Sequence, residues 1–197
     1  MGTAATLGTG AAGSLRMPVA LVGMMGSGKT AVGTAVAAAL GVPFRDTDDA
    51  IVDASRMTIA EIFARDGEPF FRAREAEVLR RLLAAGPGIV STGGGVFMDP
   101  ANRAAIAAAG VAVWLRATPA ILWSRVKGRA TRPLLMTEDP RGTLERLIRE
   151  RTPVYAEAPL VVDAEPNLGV AAMADKVVAC LAQAGAVVEA PRRKGRA

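Results

Sequence analysis

Apolar residues along this chain fall into two kinds of grouping. Five short runs are nearly unbroken in apolar and β-branched residues: PVALVG (18–23), VPFRDT (42–47), GIVST (88–92), VAVWLR (111–116) and LVVDA (160–164). Between them, in KTAVGTAVAAAL, FFRAREAEVLRRLLA, ANRAAIAAA, PAILWSRVK, TLERLIRERTPVY and VAAMADKVVACLAQA, apolar positions recur at i, i+3 and i+4. That is the helical period. Runs without inward/outward alternation are strands buried on both faces, and helices between them predict a three-layer α/β fold around a parallel sheet. The stretch KGRATRPLLMTEDPRG has no clear period and reads as a mobile lid over about 127–142. The expected organisation is one domain over 17–186, between a disordered tail at 1–16 and a basic tail at 187–197.

Composition narrows the chemistry. With 197 residues, 51% hydrophobic and 22% charged, the chain suits one globular domain with a sizeable core. No apolar run reaches membrane-spanning length, and MGTAATLGTGAAGSLR lacks the cationic start of a signal peptide. A single cysteine, Cys180, excludes a disulfide framework and agrees with a reducing cytoplasm. There are 0 histidines, so serine–histidine triads, histidine metal sites and histidine acid–base chemistry are all ruled out. The chemistry is left to carboxylates, arginines, lysine, hydroxyls, backbone amides and a hard cation. The net charge of +5 is carried by Arg16, Arg192, Arg193, Lys194 and Arg196; residues 17–190 are balanced at 19 basic and 19 acidic. With only 4% aromatics as well, nucleic acid is not an expected partner.

GMMGSGKT at 23–30 fits G-x-x-x-x-G-K-[ST], with a strand-like run before it and a helical pattern after it. A chance match in a chain this long is on the order of one in a hundred. Glycines let consecutive N–H groups converge on phosphate oxygens, and the helix start adds its positive dipole. Gly26, Ser27, Gly28, Lys29, Thr30 and Ala31 would hold the phosphates of ATP, with Lys29 on the outer ones and Thr30 beside Mg²⁺. Two other matches carry no weight. GTGAAG at 8–13 follows no strand, and DPRG at 139–142 has neither a preceding strand nor an N-K-x-D partner.

FRDTDDAI ends the second strand, where ligands of open parallel sheets bind. Alternate residues of an extended segment share a side, so Asp46 and Asp48 would face the phosphate loop together. Asp46 is assigned to Mg²⁺ with Thr30, Asp48 to an acceptor hydroxyl, and Asp49 to capping the next helix. A second bare loop, STGGGV, follows the third strand.

Taken in order, GMMGSGKTAVG, FRDTDDAI, TIAEIFARDGEPFFRAREAE, STGGGV, TRPLL and RTPVY resemble shikimate kinases, from about residue 18 to about 165. The resemblance implies a nucleoside-monophosphate-kinase-like fold with a five-stranded parallel sheet. It implies transfer of the γ-phosphate of ATP to the 3-hydroxyl of shikimate, by a monomer that needs Mg²⁺. It places Arg72 and Arg151 on the shikimate carboxylate, a pairing guanidinium groups make bidentately. Glu75 would hold Arg72, Asp48 would meet the attacking hydroxyl, and Arg132 would be the lid arginine that reaches the phosphates. It also brings the glycine triplet against the acceptor, so a Cβ at Gly93, Gly94 or Gly95 would take up that space, with Gly94 the strongest candidate for contact. Arg125 matches the position that packs on adenine, and Phe63 and Phe71 the apolar wall of the acceptor pocket. Arg74, Arg80 and Arg81 read as a solvated face. One departure stands out: DAEPNLG after the last strand lacks the arginine relatives often carry beside adenine, leaving backbone or apolar contact there. Both termini exceed the family's usual span. Gluconate kinase is the competing enzyme reading, and a nucleotide-dependent switch the non-enzymatic one.

Overall fold

The computed structural model describes residues 14–127 and 137–188. The strands are β1 (Ser14–Leu15), β2 (Pro18–Val22), β3 (Phe44–Asp46), β4 (Gly88–Ser91), β5 (Val111–Arg116), β6 (Leu160–Asp163) and β7 (Val187–Val188). The helices are α1 (Lys29–Leu40), α2 (Thr47–Ser55), α3 (Ile59–Ala84), α4 (Pro100–Ala109), α5 (Pro119–Val126), α6 (Pro140–Tyr155) and α7 (Val170–Gln183). Five strands form one parallel sheet in the order β3-β4-β2-β5-β6. All five expected strands are present, and helices cover both faces of the sheet.

The missing alternation has a direct cause. On β2, Val19 and Leu21 face the cluster under α1 and α7, with Val36, Val177 and Leu181. Ala20 and Val22 face the opposite cluster, with Leu79 of α3, Ile106 of α4, Leu122 of α5 and Tyr155 of α6. Every residue of β2 therefore needs to be apolar. A satellite cluster of Ile51, Ile62, Phe71 and Val78 joins α2 to α3. None of the described helices is long and apolar enough to cross a membrane.

Three expectations change. α3 begins eleven residues before the FFRAREAE pattern, entering through Thr58, whose side chain accepts from Glu61 N–H while Glu61 accepts from Thr58 N–H. Gly67 (φ 80°, ψ 172°) kinks it ahead of Pro69, which hid the helix in the sequence pattern. The stretch expected as a lid over 127–142 takes in the start of α6, where Asp139 caps the helix by accepting from Gly142 N–H at 2.9 Å. DPRG is thus a helix start. Residues 128–136, with Arg132, lie outside the described residues.

The tail boundaries also move. Ser14 and Leu15 pair antiparallel with Val188 and Val187, and Arg16 N–H donates to Ala186 O at 3.0 Å. Leu15 is 5% exposed and belongs to the cluster under α1 and α7. Two residues on each side are too few to show a period, yet together they close one end of the core. Leu15→Ala should lower the free energy of unfolding by about 2 kcal/mol, the low end for a buried leucine truncation. Urea unfolding measures this; an unmoved midpoint would show the clasp adds nothing to stability.

Candidate active site

The carboxyl ends of β2, β3 and β4 are neighbours in the sheet, so the segments leaving them share one crevice where the strand order switches. After β2 the chain needs left-handed backbone at Gly26 (φ 83°) and Gly28 (φ 97°), which side-chain-bearing residues rarely adopt. Gly26 is also hemmed in: a Cβ there would lie 2.7 Å from Val126 Cγ1. α1 starts at Lys29 with no side chain capping it, leaving its first N–H groups for an anion. Lys29 is 9% exposed and donates to Gly23 O at 2.8 Å and Met24 O at 3.1 Å. Arg125 Nη1 donates to Gly26 O at 3.3 Å and Ser27 O at 3.4 Å, tying α5 to the loop.

A cavity of about 520 Å³ lies against this loop, lined by Gly26 through Ala31 and by Arg125. Asp46, Asp48, Gly93 and Gly94 line it too, as do the apolar Ala164, Leu168, Val170 and Met173. Leu168 belongs to the loop after β6, so that loop presents apolar surface where an arginine was missing.

Asp46 works with both oxygens. Its Oδ2 accepts from Thr30 Oγ1 at 3.0 Å, and its Oδ1 accepts from Asp48 N–H at 2.9 Å, capping α2. The cap expected at Asp49 is therefore Asp46, one turn earlier, because the helix already starts at Thr47. Asp46 and Asp48 share a side as helix cap and first-turn residue, not as alternate residues of a strand. Burial pushes the Asp48 carboxyl up to about 6, helped by Asp46 and Glu75 and opposed by Lys29.

The glycine triplet is held from two directions. Gly93 N–H donates to Thr47 Oγ1 at 2.8 Å, and Gly94 O accepts from Arg151 Nη1 at 3.1 Å and from Tyr155 OH at 2.5 Å. Arg72 donates to the buried Glu75 at 2.8 Å, so Glu75 does hold Arg72, and to Glu68 at 3.0 Å. Burial raises the Glu75 carboxyl, while Arg72 and Arg151 lower it. Arg72 and Arg151 flank the triplet and do not line the cavity. Phe71 is 3% exposed with Phe63 4.7 Å from it, ring to ring, in the α2–α3 cluster. Neither lines the cavity against the phosphate loop, and Phe71 is packed in the core between α2 and α3.

Bare backbone at the triplet also makes room for the protein's own side chains. A Cβ on Gly93 would lie 2.5 Å from Glu75 Oε1 and 2.8 Å from Asp48 Oδ1, and one on Gly95 would strike the Arg72 guanidinium. On Gly94 the nearest atoms are Arg151 Nη1 at 3.6 Å and Met25 N at 3.8 Å. Only on the middle glycine would a Cβ meet its neighbours at ordinary contact distances. Thr47 and Tyr155 were missed as site residues; both stood inside quoted motifs, but nothing in the sequence shows which carbonyl or amide a hydroxyl meets.

One half of the crevice is made to grip phosphates, and the other presents a bare backbone wall backed by carboxylates and guanidinium groups. Such a division belongs to a phosphate-loop kinase built on a three-layer parallel sheet. Comparison with known proteins narrows the class: the family model for shikimate kinase matches residues 25–182, and the chain belongs to the shikimate kinase family. It is 51% identical over 180 residues to the shikimate kinase of Ruegeria pomeroyi, covering 91% of this chain and 92% of that one. With the shikimate kinase of Cereibacter sphaeroides it shares 57% over 149 residues, 76% of this chain and 75% of that one. Among solved structures, the shikimate kinase from Acinetobacter baumannii in complex with shikimate superposes with a TM-score of 0.80 at 35% identity. That match covers 85% of this chain and 94% of the other.

The three glycines should respond differently to alanine. Gly94→Ala should melt with the parent. Gly93→Ala should lose about 1–3 kcal/mol, because Glu75 is buried and pinned. Gly95→Ala should fall between, since the displaced Arg72 side chain is 32% exposed and can move. Thermal unfolding of the three variants checks this, and equal losses would contradict the assignment.

Proposed function

We propose that this chain transfers the γ-phosphoryl group of ATP to the 3-hydroxyl of shikimate. The products are shikimate 3-phosphate and ADP, within aromatic amino acid (chorismate) biosynthesis. The observation that carries the reading is the meeting of two loops at Gly94. A Cβ placed there would lie 3.8 Å from the phosphate loop's Met25 N and 3.6 Å from Arg151 Nη1. Donor and acceptor halves thus adjoin at one backbone position with no side chain between them.

The roles follow from the chemistry. Gly26 through Ala31 hold the phosphates, and Lys29 neutralises their charge as it moves toward the bridging oxygen. Arg125 and the apolar residues beside it receive the base. Arg72 and Arg151 bind the acceptor carboxylate, whose charge suits guanidinium donors. The 3-oxygen attacks the γ-phosphorus, the bond to the β–γ bridging oxygen breaks, and the hydroxyl proton leaves toward Asp48. A carboxylate held near 6 is ionised at neutral pH and still basic enough to take that hydrogen bond. Arg132 keeps its place as lid arginine through the family resemblance alone.

Magnesium fits the residues present. The Thr30 hydroxyl and the Asp46 carboxylate are hard oxygen donors 3.0 Å apart, too few to hold a cation without phosphate oxygens. Bound there, the ion would offset the charge of the triphosphate. The cleft is built within one chain, which supports a monomer, and the single cysteine supports a cytoplasmic setting.

An acceptor panel tests the reading. With ATP and Mg²⁺, shikimate should stimulate ADP release, while gluconate and AMP should not; no stimulation by shikimate would overturn it. Asp48→Asn should keep ATP binding and lose turnover. The pH profile gives a second check. The folded-state value of Asp48 lies above its ordinary 3.8, so the protonated, incompetent form takes over as pH falls through about 6. At limiting ATP, kcat/KM for shikimate should drop tenfold per unit below that point. A midpoint near 4 would remove Asp48 as the group responsible.

A further inference from the structure

Tyr155 plays no part in the roles just given, yet its hydroxyl meets the triplet residue that lies between the phosphate loop and Arg151. The ring is 1% exposed and lies 6.0 Å from Trp114 and 6.4 Å from Phe97, centroid to centroid. A phenylalanine would serve that packing equally well. What the tyrosine adds is a donor, aimed at Gly94 O at 2.5 Å. Burial pushes the phenol up to about 12, against the lowering effect of Arg151, so the group stays protonated and can only donate to that carbonyl at working pH.

The same carbonyl takes Arg151 Nη1 at 3.1 Å. Arg151 and Tyr155 stand one helical turn apart on α6, so their side chains leave the same face. A carbonyl oxygen has two lone-pair directions. With the phenol on one, Arg151 Nη1 is confined to the other, and the phenol oxygen also faces the guanidinium directly, so the tyrosine holds Arg151 both through the carbonyl and by its own side. We infer that Tyr155 is a positioning residue for the acceptor, fixing the Gly94 carbonyl and with it the direction of the Arg151 guanidinium. Without the hydroxyl, Arg151 can swing onto the carbonyl and turn its fork from the acceptor. The effect falls on acceptor binding and leaves the phosphate loop unchanged. This inference rests on the acceptor reading proposed above.

The chain contains 1 tyrosine, which makes the test clean. In Tyr155→Phe, KM for shikimate should rise about tenfold, with kcat within about threefold and KM for ATP unchanged, as for one lost hydrogen bond that orients a charged group. A purely structural role would lower kcat through loss of folded enzyme and leave both KM values alone. In parallel, the wild-type chain labelled with 3-fluorotyrosine gives a single ¹⁹F resonance that should shift saturably as shikimate is added. An unmoved resonance at saturating shikimate overturns the inference. So does a folded Tyr155→Phe with KM for shikimate within about twofold of the parent. Should Tyr155→Phe not fold, the fluorine signal decides alone. A wild-type protein that does not phosphorylate shikimate sinks the functional reading itself, whatever Tyr155→Phe does.

Discussion

One register decides where the functional groups can stand. β4 pairs with β2 so that Ser91 lies opposite Leu21, and Thr92 then closes on the Leu21 carbonyl twice, by its N–H at 3.2 Å and its hydroxyl at 2.9 Å. That double grip sets the phase of the glycines that follow. A slip of one residue would turn every side chain of β4 to the other face, and the sheet is buried on both. The hydrophobic core therefore holds the register, and the register places the triplet against the phosphate loop. Gly93 can then reach Thr47 on one side, and Gly94 can reach α6 on the other.

The crevice gathers charge that the core would not accept elsewhere. Glu75 is 1% exposed, and such a carboxylate is tolerated only with a partner, which Arg72 supplies at 2.8 Å. Asp48 is treated differently. Burial and the neighbouring Asp46 and Glu75 outweigh the attraction of Lys29, so its proton is held more tightly than usual. Two neighbouring carboxylates thus differ in state: one fixes an arginine, the other holds its proton more tightly than a free carboxyl. A site tuned in this way is less favourable for folding than an apolar patch of the same size, and the sheet beneath it makes up the difference.

Much of this was legible in the sequence because buried parallel strands and phosphate loops leave strong marks. VAVWLR became β5 over the expected residues, and GMMGSGKT sits between β2 and α1 as its spacing required. Legibility failed where a choice depended on tertiary contact. Asp46, Asp48 and Asp49 are chemically equivalent as caps, and only the position of Thr30 explains why Asp46 takes that duty while facing the loop. Leu15 and the Val187–Val188 pair were too short to signal, though they close the core. Phe71 matched a pocket wall by motif, and its packing with Ile51, Ile62 and Val78 left no mark there. Tyr155 shows the same limit: its aromatic burial was foreseeable, its hydroxyl's partner was not.

Three adjacent glycines might suggest one broad need for room, but the geometry separates the needs. Charged side chains packed this close to the triplet need room of their own there. At Gly93 these are Glu75 and Asp48, and at Gly95 the group is Arg72. Both positions must be bare for the protein's own side chains, before any ligand arrives. At Gly94 a Cβ would find only ordinary contacts, and it is the position whose carbonyl is pinned by Arg151 and Tyr155 together. A single glycine would give the acceptor space without the surrounding charges that orient it. Bare backbone on three consecutive residues lets Glu75, Asp48 and Arg72 close on the triplet while Arg151 and Tyr155 hold its middle carbonyl.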